Sequence, residues 1–147
     1  MSQIDGLPVR ILMVEDNPGD VTITIEALRD AKVKNELIAV TDGVEALRFL
    51  RGEAQYADRI LPDLILLDLN LPKKSGRDVL AEIKADNRLK TIPVVVLTSS
   101  DNEEDILSAY QLQANCYVKK PPSFHEFSKV VRSLEEFWFT IVKLPPK

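Results

Sequence analysis

Short apolar, β-prone runs alternate with helix-patterned stretches along the whole chain, and few folds can accommodate that order. Val9-Arg10-Ile11-Leu12-Met13-Val14, Glu36 to Val40, Asp63 to Leu69, Pro93 to Thr98 and Asn115 to Lys119 read as strands. Pro93-Val94-Val95-Val96-Leu97 is apolar at successive positions, the pattern of a parallel strand covered by helices on both faces. Strands that alternate with helices mark βαβ units. Five of them in 147 residues imply an α/β fold with a doubly wound, five-stranded parallel sheet, of order 2-1-3-4-5 by analogy, with right-handed crossovers.

The helix starts are written in capping chemistry. Asn17-Pro18-Gly19-Asp20 supplies a cap, a proline suited to the first helical position and a first-turn acid for a helix running to about Lys32. Asp42-Gly43-Val44-Glu45 and Ser123-Phe124-His125-Glu126 have capping-box spacing. Leu71 to Gly76 is a turn into a helix with Val79, Leu80 and Ile83 on one face, and Asp101 to Gln113 is helical in period. The polar stretch Arg51 to Leu61 is long for such a connection and reads as a surface insertion.

Composition narrows the functional classes. With 45% hydrophobic and 29% charged residues, 147 residues fit one domain with a real core and leave nothing for a second. A formal net charge of -4 argues against a nucleic-acid surface, which needs basic side chains for phosphate. Cys116 is the single cysteine, so no internal disulfide forms, and its place in a strand suggests a buried small hydrophobe. Neither a signal peptide nor a membrane-spanning run is visible, which makes a cytoplasmic protein the expectation.

Carboxylates stand where the strands end. Asp68 closes the third strand and Glu15-Asp16 the first, and ligands of open α/β sheets bind beyond those ends. Like charges brought together repel unless something positive offsets them. A divalent metal is the natural candidate.

At these positions the sequence resembles the receiver domains of two-component response regulators, which have a flavodoxin-like fold. The resemblance rests on Val14-Glu15-Asp16-Asn17, Leu66-Leu67-Asp68-Leu69-Asn70-Leu71-Pro72, Gly76, Val96-Leu97-Thr98-Ser99 and Tyr117-Val118-Lys119-Lys120-Pro121, in order and across nearly the whole chain. The Leu69 to Lys74 turn and the Phe137-Trp138 tail look most like small single-domain regulators paired with cyanobacterial phytochrome histidine kinases. The resemblance implies that Asp68 accepts a phosphoryl group from a sensor kinase histidine, a form of covalent catalysis open to carboxylates. It implies a magnesium ion held by Asp16, Asp68 and the Asn70 backbone carbonyl, with Glu15 acting through a water; many relatives have Asp where Glu15 stands. Lys120 and Thr98 would contact the phosphoryl oxygens, and Tyr117 would be the switching aromatic, a rim tyrosine being the bland alternative. Strand alternation and the Lys-Pro step favour Lys120 over Lys119, and relatives carry that step as a cis bond. Ser100 and Asn70 stand where relatives tune dephosphorylation. His125 is expected on the surface, so the phosphodonor is another protein, and the downstream reader is a further, unknown partner.

Other readings exist. A haloacid-dehalogenase-type phosphatase would need an acid where Asn70 stands, and a flavodoxin-like flavin binder would need a Ser, Thr and Gly-rich loop where the acids stand. A binding module with the fold but without phosphorylation is the third. The last helix carries an apolar stripe through Phe127, Val130, Val131, Leu134, Phe137, Trp138 and Ile141, and Phe137-Trp138-Phe139 spreads rings over more than one helix face. This suggests a homodimer through these rings and an extension over residues 137–147.

Overall fold

The computed structural model describes residues 7–146. Five parallel strands, β1 (Val9–Val14), β2 (Asn35–Val40), β3 (Leu64–Leu67), β4 (Val94–Thr98) and β5 (Cys116–Lys119), form one sheet of order β2-β1-β3-β4-β5. The connecting helices are α1 (Pro18–Arg29), α2 (Gly43–Arg51), α3 (Gly76–Ala85) and α4 (Glu103–Gln111), and α5 (Phe124–Glu136) follows β5. The expected topology is the observed one.

Side-chain alternation along each strand sorts the core into two layers. Leu12, Val14, Ile65, Leu67, Val94 and Val96 face α2, α3 and α4, packing on Leu47, Leu50, Val79, Leu80, Ile83 and Ala109. Ile11, Met13, Leu64, Leu66, Val95 and Leu97 face α1 and α5, packing on Ala27, Leu28, Phe127 and Val131. The central strands are therefore apolar on both faces, the exceptions being Arg10 near the start of β1 and Thr98 at the end of β4.

Helix entry follows the capping chemistry. Asn17 accepts hydrogen bonds from the amides of Gly19 and Asp20, Asp42 from Glu45, and Ser123 from Glu126. The Glu45 carboxylate does not return to the Asp42 amide as a full capping box would; it accepts from the Tyr56 hydroxyl at 2.7 Å. That bond helps explain the stretch after α2. Arg51 to Leu61 lies on the surface and has local order: α2 runs to Arg51, Gly52 closes it at φ 70°, and Ala54–Tyr56 forms a 3-10 turn. Arg59 donates to the Phe49 and Leu50 carbonyls at 3.2 and 2.9 Å, sharing the first with the Gly52 amide and supplying a partner to the second at the helix end.

The tail departs from expectation. Beyond α5 the chain winds into a π-helical turn, Phe137–Ile141, closed by the Val142 amide donating to the Phe137 carbonyl at 2.9 Å. Trp138 and Phe139 are both buried in the layer beneath α1 and α5, with Leu144 beside them. A single α-helical face could not bury two consecutive rings so fully; the wider turn brings both inward. Of the three aromatics proposed for a dimer contact, only Phe137 is exposed, at 47%. Residues 1–6 and 147 of the expected single domain lie outside the described residues.

Candidate functional site

The parallel ladder continues past the strand ends and so fixes the backbone of the side chains that matter. The Glu15 amide donates to the Val40 carbonyl at 3.0 Å, Asp68 to Val14 at 3.1 Å, and Lys120 to Thr98 at 2.7 Å. Asp68 is thus seated by β1, and Lys120 by β4, on one edge of the sheet. Gly76, at the start of α3, packs directly beneath: a Cβ there would lie 2.2 Å from the Asp68 carbonyl oxygen.

Lys120 is the hub. Its Nζ donates to Glu15 Oε1 at 2.5 Å, Asp20 Oδ2 at 2.9 Å and Asp68 Oδ2 at 3.1 Å, with Lys120 only 8% exposed. Burial alone would lower the ammonium's pKa, but the hydrogen bonds to Glu15 and Asp20 and the charges of Asp68 and Glu15 outweigh it, so the pKa is raised above its ordinary value. Glu15 is pushed up to about 7, by burial first and then by the charge of Asp68, against the downward pull of Lys120. Lys119 pairs instead with exposed Asp101 at 2.9 Å. Of the two lysines, Lys120 is the one whose ammonium meets Asp68. The Lys120-Pro121 bond is not cis, since no peptide bond among the described residues is. Three carboxylates hold the ammonium in place here.

Glu15, Asp16 and Asp68 can each offer a carboxylate oxygen such that the three lie within 4.8 Å of one another. An all-oxygen set with an exposed member suits a hard divalent cation that keeps some of its waters. Asn70 lines the same cleft, and its amide donates to Asp68 Oδ1 at 3.1 Å. The cleft, about 500 Å³, is also lined by Asn17, Asp20, Ser99, Lys119, Pro121 and Pro122.

Thr98 is fully buried beside this edge, and its hydroxyl oxygen has no hydrogen-bond partner among the described residues. A buried hydroxyl left unpaired is costly, and it is free to turn toward an acceptor. Tyr117 packs against the core while its hydroxyl donates to the Ser100 carbonyl at 2.9 Å, tying β5 to the segment after Thr98. The Ser100 hydroxyl donates to Asp105 at 2.6 Å, and Asp105 pairs with Arg77 of α3. His125 is exposed, as expected. Cys116 is only half-buried, and burial pushes its thiol pKa up.

Asp20 was not singled out for the site by sequence reasoning. A first-turn acid is explained well enough by the helix dipole, and that reading hid a residue only four positions beyond Asp16.

Comparison with known proteins fits this geometry. Residues 11–132 match the response regulator receiver domain family. Response regulator Rcp1 of Synechocystis sp. (strain PCC 6803) is 46% identical over 145 residues, 99% of each chain. The structure of the phosphorylated cyanobacterial phytochrome response regulator RcpA superposes with a TM-score of 0.93 at 49% identity, covering 95% of this chain and 100% of that one. The Mn(2+)-bound form of Rcp1 gives 0.92 at 47%, with the same coverage.

Proposed function

This chain belongs to the response regulator receiver domain family, and on that premise we propose that it is a phosphorylation-driven switch whose phosphoacceptor is Asp68. The observation that carries the reading is the convergence of Asp68 with Glu15, Asp16 and a lysine ammonium 3.1 Å from its carboxylate. In the proposed step a carboxylate oxygen of Asp68 attacks the phosphorus of a phosphohistidine. The phosphorus–nitrogen bond breaks, the histidine nitrogen leaves with the electron pair and takes up a proton, and an aspartyl phosphate remains.

Magnesium, bound by Glu15, Asp16, Asp68 and the Asn70 carbonyl, would supply the positive charge that phosphoryl transfer needs most. The protein's own residues do the rest. Lys120 follows the incoming oxygens as a point charge. Thr98 turns its unpaired hydroxyl toward them, and the β4–α4 segment that Tyr117 holds through Ser100 moves with it. The added charge, roughly -1.5 to -2, thereby becomes a change on the surface around β4, β5 and α4.

The donor is a sensor histidine kinase, and the description of the relative RcpA as a phytochrome response regulator supports a phytochrome in that role. The changed surface is read by another protein, in the cytoplasm. Among the described residues no helix is long and apolar enough to cross a membrane. Catalysis extends to the protein's own phosphorylation and dephosphorylation only. A homodimer through the end of α5 belongs to the same proposal, resting on exposed Phe137 and Ile141 and the apolar hollow lined by Val118, Val130 and Leu134.

Incubation with a small-molecule phosphodonor tests the reading by intact mass. The wild type gains one phosphoryl group in a magnesium-dependent manner, and Asp68→Asn gains none. Equal gain by both, or none by either, would refute it.

A further inference from the structure

Lys120 and a divalent cation draw on the same carboxylates. Glu15 and Asp68 hold the ammonium at 2.5 and 3.1 Å, and both belong to the triad able to gather around a metal. A cation entering that triad weakens the hold of both groups on Lys120, since each oxygen's charge is shared. The third partner is different. Asp20 lies outside the triad, and its bond to Lys120 is a full charge-assisted hydrogen bond at 2.9 Å.

The backbone of Asp20 is built to keep that bond. Its amide donates to the capping side chain of Asn17 at 3.2 Å, and its carbonyl accepts from the hydroxyl of fully buried Thr24 at 2.8 Å. With amide and carbonyl both tied, the carboxylate projects from a fixed point on the first turn of α1, and Lys120 is the partner it meets. We propose that Asp20 is a positioning residue for the phosphoryl-transfer reaction: it retains the Lys120 ammonium at the cleft when metal occupies the Glu15, Asp16 and Asp68 carboxylates. The inference rests on the reading of Asp68 as phosphoacceptor.

A bare electrostatic role for Asp20 predicts the opposite kinetic sign. An extra carboxylate repels an anionic donor, so its removal would speed phosphorylation. As an anchor, its removal slows phosphorylation, because the ammonium is no longer in place.

The test has two readouts. In the first, Lys120 is probed with an amine-reactive reagent and peptide mass mapping, with exposed Lys119 as the internal reference. Without metal, Lys120 is protected in both wild type and Asp20→Asn, by Glu15 and Asp68. With saturating magnesium it stays protected in the wild type and is labelled at least fivefold faster in Asp20→Asn, whereas Asp20→Glu behaves as wild type. In the second, the rate constant for phosphorylation at saturating magnesium and phosphodonor falls about tenfold in Asp20→Asn, equivalent to about 1.4 kcal/mol, and in a Lys120→Met background the same change has no further effect. Unchanged labelling of Lys120 in Asp20→Asn with magnesium, or an unchanged or raised rate, overturns the inference. A wild type that takes up no phosphoryl group fails the underlying reading instead, and the labelling pattern still judges Asp20.

Discussion

Thr98 and Lys120 contrast at this sheet edge: a buried hydroxyl with no partner among the described residues, and a buried ammonium bonded three times over. The first is a standing cost and the second a standing gain. Thr98→Val removes an unpaired polar atom at nearly constant shape, so denaturant unfolding of this variant in the absence of phosphodonor shows stability raised by about 1 kcal/mol. The same variant still gains a phosphoryl group at Asp68 but no longer transmits it. A loss of stability on this change would mean that the hydroxyl has a partner in solution. Lys120→Met acts in the reverse sense, leaving Glu15 and Asp68 buried with no counter-charge, and is expected to cost about 3 kcal/mol in metal-free unfolding. At this scale residue type and strand position were enough to bring Asp68, Asp16 and Lys120 to one sheet edge. They failed at Asp20, whose helix-start chemistry gave a sufficient explanation without the site, because the Lys120 contact spans the fold.

Among the elements, the close approach of α3 to the end of β3 sets the placement of Asp68. Gly76 has the Asp68 carbonyl oxygen and the Leu69 Cα at 2.2 and 2.5 Å from where a Cβ would stand, both backbone atoms that cannot swing aside. Gly76→Ala therefore destabilises the fold by about 3 kcal/mol, the upper end of overpacking costs, as measured by denaturant unfolding. It also slows phosphorylation, because the displaced strand end carries the acceptor. A change below 1 kcal/mol would show that the loop yields easily. Strands and helix starts were readable because each depends on neighbours in sequence: apolar runs, Asn17, Asp42 and Ser123. The Arg51 to Leu61 segment lies on the surface as its polarity implies, but its order comes from Tyr56 and Arg59 reaching back to α2, contacts that polarity alone does not reveal.

For the whole molecule, two-sided burial made the sheet legible, since strands covered on both faces are apolar at nearly every position, and the order β2-β1-β3-β4-β5 follows from analogy plus handedness. The tail was less legible. A helical-wheel reading assumes a constant turn, and the π turn over Phe137–Ile141 breaks that assumption, moving Trp138 and Phe139 from presumed surface to core. The assembly prediction shifts accordingly. Sedimentation of the wild type at tens of micromolar shows a dimer that Phe137→Glu weakens without loss of helix content; a wild-type monomer with and without phosphodonor would remove the dimer from the account. The proposed switch depends on the identity of one acceptor. An aspartyl phosphate is an acyl phosphate, so borohydride reduction of the phosphorylated protein converts the acceptor to homoserine, which peptide mass mapping locates. Modification confined to position 68 is the expected result, and modification at Glu15, Asp16 or Asp20 in its place would contradict the assignment of Asp68.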